Sequence, residues 1–264
     1  MELIEAIYKR KSVRKYSPDK LSPEELNQIK MLIDSTEKLN SDIDLQIQLV
    51  DDGKKIQEIM RGIVGNFGKI VAPHYLLVTS EPKDHYLVNA GYATENLVLE
   101  LTRMGIATCW LGGHVKIEDL RSSLGIAQTQ NMVVIISLGH PEDPKELYRL
   151  DPSQAKRKGI SEFAFGKYDD VWMKILDAVR IAPSAANSQP WRFFFDHQSI
   201  HVYGAKSTNF IMKALLDSIN RVDMGIALSH AVIAARKYGK NIQIKRLSPP
   251  EKKDMYYIAS IVEA

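Results

Sequence analysis

Apolar residues at positions 3, 4 and 7 recur at helical spacing. They predict a short first helix that breaks near Ser12, ahead of a Ser17-Pro18 turn. Ser22-Pro23-Glu24-Glu25 reads as the start of a second helix: the serine caps, the proline takes the first helical position, and the acids suit the positive end of the helix dipole. Leu26, Ile29, Leu32 and Ile33 give that helix its apolar face. Residues 45–50 alternate strictly and predict a strand, and residues 74–79 form a short apolar run that predicts a buried one. Residues 86–104 predict a long apolar helix closed by Gly105. A strand-like stretch then leads into Cys109-Trp110. Residues 132–138 carry the strongest strand pattern, stopped by Gly139-His140-Pro141. A second series follows near Tyr168: a helix over 171–181 ended by Pro183, strands over 191–195 and 200–203, a second long apolar helix over 221–238 closed by Gly239, and strands over 241–247 and 256–262. Residues 54–72 read as an insertion in the first series.

The two series look like copies. Gly91, Ala93 and Gly105 on the first long helix coincide with Gly225, Ala227 and Gly239 on the second at one constant offset. Upstream, Asn40-Ser41 aligns with Asn187-Ser188, each preceded by an amphipathic helix and followed by a strand. A duplicated unit of this kind implies a two-fold relation between halves and places sites at their junction. The halves are expected at residues 1–164 and 165–264.

Composition narrows the class. The 264 residues are 45% hydrophobic and 25% charged, as in a soluble globular protein, and are enough for one large domain or two modest ones. A net charge of +3, without a concentrated basic stripe, argues against nucleic acid. A single cysteine, Cys109, excludes an intrachain disulfide and a Cys-rich metal site, so no metal is expected. The N-terminus carries Glu2 and Glu5 and lacks the apolar core of a signal peptide, and no apolar run reaches the ~18 residues of a membrane span. The expectation is a cytoplasmic protein without a membrane partner. The histidines are scattered, and none is assigned a role.

Three segments carry candidate chemistry. Arg10-Lys11-Ser12-Val13-Arg14 puts three cations and a hydroxyl within five residues, a set that suits a phosphate or a polarised carbonyl oxygen. Pro183-Ser184-Ala185-Ala186-Asn187-Ser188-Gln189-Pro190-Trp191 is rigid and rich in small hydrogen-bonding side chains, so a planar ligand can approach its backbone. Cys109-Trp110-Leu111-Gly112-Gly113 exposes backbone N–H groups at adjacent glycines. Taken singly, each is equally a basic loop, a connection or a turn.

Together they resemble the signatures of the FMN-dependent nitroreductase family. In that family an R-[RHK]-S-x-[RK] segment grips the FMN phosphate and ring edge, matched here by Arg10, Lys11, Ser12 and Arg14. A P-S-x-x-N-x-Q-P-W segment reaches the flavin from the partner subunit, matched by Pro183, Ser184, Asn187, Gln189, Pro190 and Trp191. A W-x-G-G segment lies against the reactive edge, matched by Trp110, Gly112 and Gly113. A late basic pair completes the phosphate site; Lys156 and Lys158 match best, with Arg157 as the rival. Residues 35–42 have lost the P-S-x-x-N segment, whereas the second half keeps it and lacks both the basic grip and W-x-G-G. Each half has kept what the other discarded.

The resemblance therefore implies an α+β, nitroreductase-like three-layer sandwich whose two duplicated halves form an intramolecular pseudo-dimer, a monomer with one flavin site. It implies FMN as cofactor, NADH or NADPH as electron donor, and a small electron-poor acceptor such as a nitroaromatic or quinone, with no side chain acting as a nucleophile. Without a G-x-G-x-x-G fingerprint, the nicotinamide is expected to share the flavin cleft. Asn66 or Gly68 is expected to touch the flavin. The alternative is a flavin-binding module for sequestration or sensing without turnover.

Overall fold

The computed structural model describes residues 1–60, 70–111, 117–197, 199–207 and 213–264. Helix α1 (Leu3–Lys9) ends where the chain extends at Arg10. Helix α2 (Pro23–Asp34) starts as its sequence dictates: the Ser22 hydroxyl accepts from the Glu25 N–H and the Glu25 carboxylate accepts from the Ser22 N–H, a complete capping box. Ile29 is its one fully buried residue, and Leu26, Leu32 and Ile33 are half-buried around it.

The first sheet contains β1 (Leu45–Val50), β2 (His74–Ser80), β3 (Ala107–Leu111) and β4 (Asn131–Gly139) in the order β1-β2-β4-β3, antiparallel throughout. The second contains β5 (Ala164–Phe165), β6 (Trp191–Phe195), β7 (Ile200–Ala205), β8 (Ile242–Lys245) and β9 (Met255–Glu263) in the order β5-β6-β7-β9-β8; only β5 runs parallel to its neighbour. With the two-residue β5 set aside, the strands of both sheets run first, second, fourth, third. In both, one long helix joins the second strand to the third: α4 (Tyr86–Arg103) in the first and α7 (Lys213–Lys237) in the second.

Alternation along β2 divides the packing. Leu76 and Val78 meet α2 and α4, while Tyr75 and Leu77 meet Ile56 and Met60 of α3 (Gly53–Met60) and Leu120 of α5 (Ile117–Leu124) on the opposite face. The second sheet turns Phe193, Val202 and Ile261 onto α7 and α6 (Asp170–Arg180). The layers are thus sheet, helices, sheet, with α3 and α5 added outside the first sheet. α3 lies in the stretch expected as an insertion, and α7 begins well before the expected position 221.

The two long helices cross in the central layer, where the repeated glycines become necessary. A Cβ on Gly91 would lie 2.1 Å from the Val222 carbonyl oxygen, and a Cβ on Gly225 would lie 2.1 Å from that of Val88. The contact is reciprocal at equivalent positions, which is the geometry of a two-fold axis between α4 and α7. Cross-links between the halves surround it: Arg236 donates twice to Glu37 at 2.7 Å, and the Tyr8 hydroxyl donates to Asp177 at 3.0 Å. Among the described residues no helix is long and apolar enough to cross a membrane.

Candidate functional site

The basic segment after α1 is fixed by backbone pairing. Arg10 bridges Tyr148 antiparallel, Ser12 bridges Thr108 on β3 in parallel, the Val13 N–H donates to the Thr108 carbonyl at 3.0 Å, and the Arg149 N–H donates to the Lys9 carbonyl at 2.7 Å. This sets the direction of each side chain. Arg10 turns inward and is only 3% exposed; its Nε lies 3.9 Å from Glu95 Oε1, and its Nη1 has no hydrogen-bond partner among the described residues. Lys11 turns outward to Glu146 at 2.5 Å. Ser12 is half-buried and Arg14 is exposed. Burial pushes the Cys109 thiol's pKa up, and the charges of Arg14 and Arg10 and a hydrogen bond from Ser12 oppose the rise.

A second basic run meets this segment from residues 149–158. A 3-10 turn over Pro152–Ala155, capped by Asp151, leaves Lys156 in the left-handed region at φ 52°. Lys156 therefore projects into solvent and Arg157 turns in. Arg157 Nη1 donates to Asn187 Oδ1, its Nη2 donates to the Ile181 carbonyl at 3.3 Å, and its Nε is buried without a partner among the described residues. Arg149 is 8% exposed and donates to the Tyr8 carbonyl at 3.1 Å. Burial first, and then the mutual repulsion of the guanidiniums, pushes Arg149 and Arg157 down to about 10. Arg10 contributes to the repulsion felt by both.

The loop before β6 closes the arrangement. Ala186, Asn187 and Gln189 all adopt positive φ near 50°, a costly state for side-chain-bearing residues that its hydrogen bonds hold in place. Ser184 Oγ accepts from the Gln189 N–H at 3.0 Å, Asn187 Nδ2 donates to the Lys156 carbonyl at 3.0 Å, and the Lys158 N–H donates to Gln189 Oε1 at 2.8 Å. Lys158 Nζ donates to the Ser188 carbonyl at 3.2 Å. Pro183 is buried below, Ser184 is half-buried and Asn187 is exposed. From α7, the Asp223 carboxyl accepts from the Ala185 N–H at 3.1 Å and from the Ser188 hydroxyl at 3.5 Å. Burial pushes Asp223 up to about 7, against the opposing effect of those two donors.

Glu95 lies at the centre, fully buried on α4. Its Oε2 accepts from the Trp110 indole N–H at 3.1 Å, and its Oε1 lies 3.0 Å from His230 Nε2 on α7. His230 Nδ1 lies 2.8 Å from the Ala178 carbonyl, which can only accept, so that nitrogen carries a proton.

The structure thus brings Arg10 and Trp110 together on Glu95, and joins Arg157 to Asn187 and its loop in the second half. Ser12 pairs with Thr108 on β3 beside the Cys109 thiol, on the face opposite Trp110, and Arg14 is exposed. Lys11 and Lys156 point away. Gly112 and Gly113 lie outside the described residues, as do Asn66 and Gly68. Sequence reasoning overlooked Glu95, Arg149, His230 and Asp223. A carboxylate set within the apolar run of a long helix was a usable signal for Glu95 and Asp223; Arg149 offered none. Among the described residues three guanidiniums converge with one carboxylate, Glu95, facing them, and two buried donors have no partner. That surplus of positive charge and of hydrogen-bond donors suits an anion.

Comparison with known proteins bears on the whole chain. A protein of Archaeoglobus fulgidus named "Putative NADH dehydrogenase/NAD(P)H nitroreductase" is 27% identical over 161 residues, covering 57% of this chain and 91% of that protein. The crystal structure of a "putative nitroreductase" from Thermotoga maritima shares the fold along the full length, with a TM-score of 0.63, 22% identity, and coverage of 100% of this chain and 93% of that one. Residues 2–235 match the family described as "Putative TM nitroreductase", and the chain belongs to that nitroreductase family.

Proposed function

We propose that this chain binds one FMN at the junction of its halves and passes electrons from NADH or NADPH to an electron-poor acceptor such as a nitroaromatic or a quinone. The observation that carries this reading is Arg157, which donates to Asn187 in the second half and shares one buried cluster with Arg10 from the first. Family membership supports it, as does the name of the Archaeoglobus relative.

The residues fit the cofactor. Among the described residues Arg10 Nη1 and Arg157 Nε are donors without acceptors, and a phosphate supplies acceptors. Arg10, Arg149 and Arg157 would hold that phosphate, Ser12 and Arg14 would meet the ring edge, and the loop from Pro183 to Asn187 would cover the ring from the other half. FMN, when bound, supplies the redox chemistry, accepting hydride from a nicotinamide and delivering electrons to the acceptor. The chain positions and excludes. Buried guanidiniums would stabilise negative charge in a site of low polarity, and Trp110 on β3 would wall the ring side. Because each half contributes one part, the reading makes the chain a monomer that acts as a pseudo-dimer, with halves at residues 1–164 and 165–264.

The test is the visible spectrum of purified protein together with NADH and NADPH oxidation across quinone and nitroarene acceptors. A yellow protein that turns over supports the proposal. Bound FMN without turnover on any acceptor moves the chain to a flavin-binding module. A colourless protein that fails to quench added FMN sinks both.

A further inference from the structure

The two-fold relation between α4 and α7 supplies an internal control. Glu95 on α4 contacts His230 on α7 at 3.0 Å. The contact related to it by the axis joins Ser229, at the position equivalent to Glu95, and Asn96, at the position equivalent to His230; there the Ser229 hydroxyl donates to Asn96 Oδ1 at 3.3 Å. Both pairs lie side by side in the same helix crossing. One is ionisable and one is neutral, so packing of the crossing does not itself require charge. Only the Glu95 side faces Arg10 and Trp110.

We infer that Glu95 is a positioning residue for FMN, held from the opposite half by His230 and holding in turn the Arg10 guanidinium and the Trp110 indole. This rests on the FMN reading above. Glu95 accepts from Trp110 with one oxygen and meets His230 with the other, which also lies at ion-pair distance, 3.9 Å, from Arg10 Nε; among the described residues Arg10 Nη1 has no partner. A glutamine serves only two of the three partners. Its oxygen accepts from Trp110 and its amide donates to His230, so no carboxylate oxygen remains beside Arg10 Nε. What is lost is the local anchor of Arg10.

The experiment measures FMN dissociation constants of the apo-protein by flavin fluorescence quenching, in a double-mutant cycle of Glu95→Gln and Arg10→Ala, with Ser229→Ala as the mirror control and thermal melting of every variant. Glu95→Gln is expected to weaken FMN about ten-fold, to cost little further affinity when Arg10 is already alanine, and to retain a cooperative melt. Ser229→Ala is expected to leave the dissociation constant within two-fold. Equal FMN affinity in Glu95→Gln and wild type overturns the assignment, as does an effect that adds in full to Arg10→Ala, or an equal loss in Ser229→Ala. If Glu95→Gln does not fold, Glu95→Asp replaces it in the same cycle: its shorter side chain keeps the charge, and unchanged affinity overturns the assignment. A wild type that binds no FMN overturns the FMN reading and this inference with it, an outcome distinct from binding that is indifferent to Glu95.

Discussion

The two sides of the α4–α7 crossing share a backbone plan and differ in chemistry. On one side Glu95 meets His230; on the other Asn96 meets Ser229. On one side the α7 carboxyl of Asp223 holds the Ala185 N–H; at the equivalent place on α4, Asn89 Oδ1 holds the Asn40 N–H at 2.9 Å. The loop on Asp223 carries Asn187 into the arginine cluster, and the loop on Asn89 has no such cluster among the described residues. Reciprocal features such as Gly91 and Gly225 belong to the fold. Features present on one side only are where function is to be sought, because the same backbone forms without them. Duplication thereby separates two causes that are normally entangled in a buried charged residue.

The largest expected effect breaks both sides equally. Gly91→Ala and Gly225→Ala each press a methyl onto a carbonyl oxygen at 2.1 Å. Each is expected to cost about 3 kcal/mol or more by overpacking, read as a matching loss of the denaturant midpoint; a large loss in one and none in the other breaks the reciprocity. Arg10→Ala acts on one side only. Removal of a buried, charge-assisted anchor worth roughly 1.5–3 kcal/mol weakens FMN about ten- to hundred-fold by fluorescence titration. Asn187→Ala removes an acceptor of Arg157 and weakens FMN about five-fold, roughly 1 kcal/mol, while Asn40→Ala leaves affinity unchanged; equal effects erase the distinction between the loops. Asp223→Asn is the smallest and depends on pH. Because Asp223 is raised to about 7, it favours the fold in its protonated form, and its contribution falls away as pH rises from the ordinary carboxylate range through 7. Wild type and variant are expected to melt alike at low pH, with the variant a few degrees higher above pH 8. A difference of the same size at all pH values contradicts the assignment.

Much of this was legible in the chain. Period and punctuation marked α2, α4 and β4, because capping serines, terminal glycines and apolar runs act locally. The repeated glycines pointed to the crossing. α3 and α5 were missed because each is a short helix with few buried residues, Ile56 and Met60 in one and Leu120 in the other. The early start of α7 was missed because its first turns are largely exposed. In the site, Arg10, Ser12 and Asn187 were readable from motifs. Arg157 turns inward and Lys156 outward because residue 156 is left-handed, and spacing alone does not encode that. Arg149 and His230 become visible only once chain pairing and the helix crossing bring distant positions together.

We propose that one side of this duplicated chain holds a cofactor and the other has given it up. Released flavin measured against protein concentration, with native mass on the same sample, tests it most directly. One FMN per monomeric chain is the predicted result; two per chain, or one shared between two chains, contradicts the account.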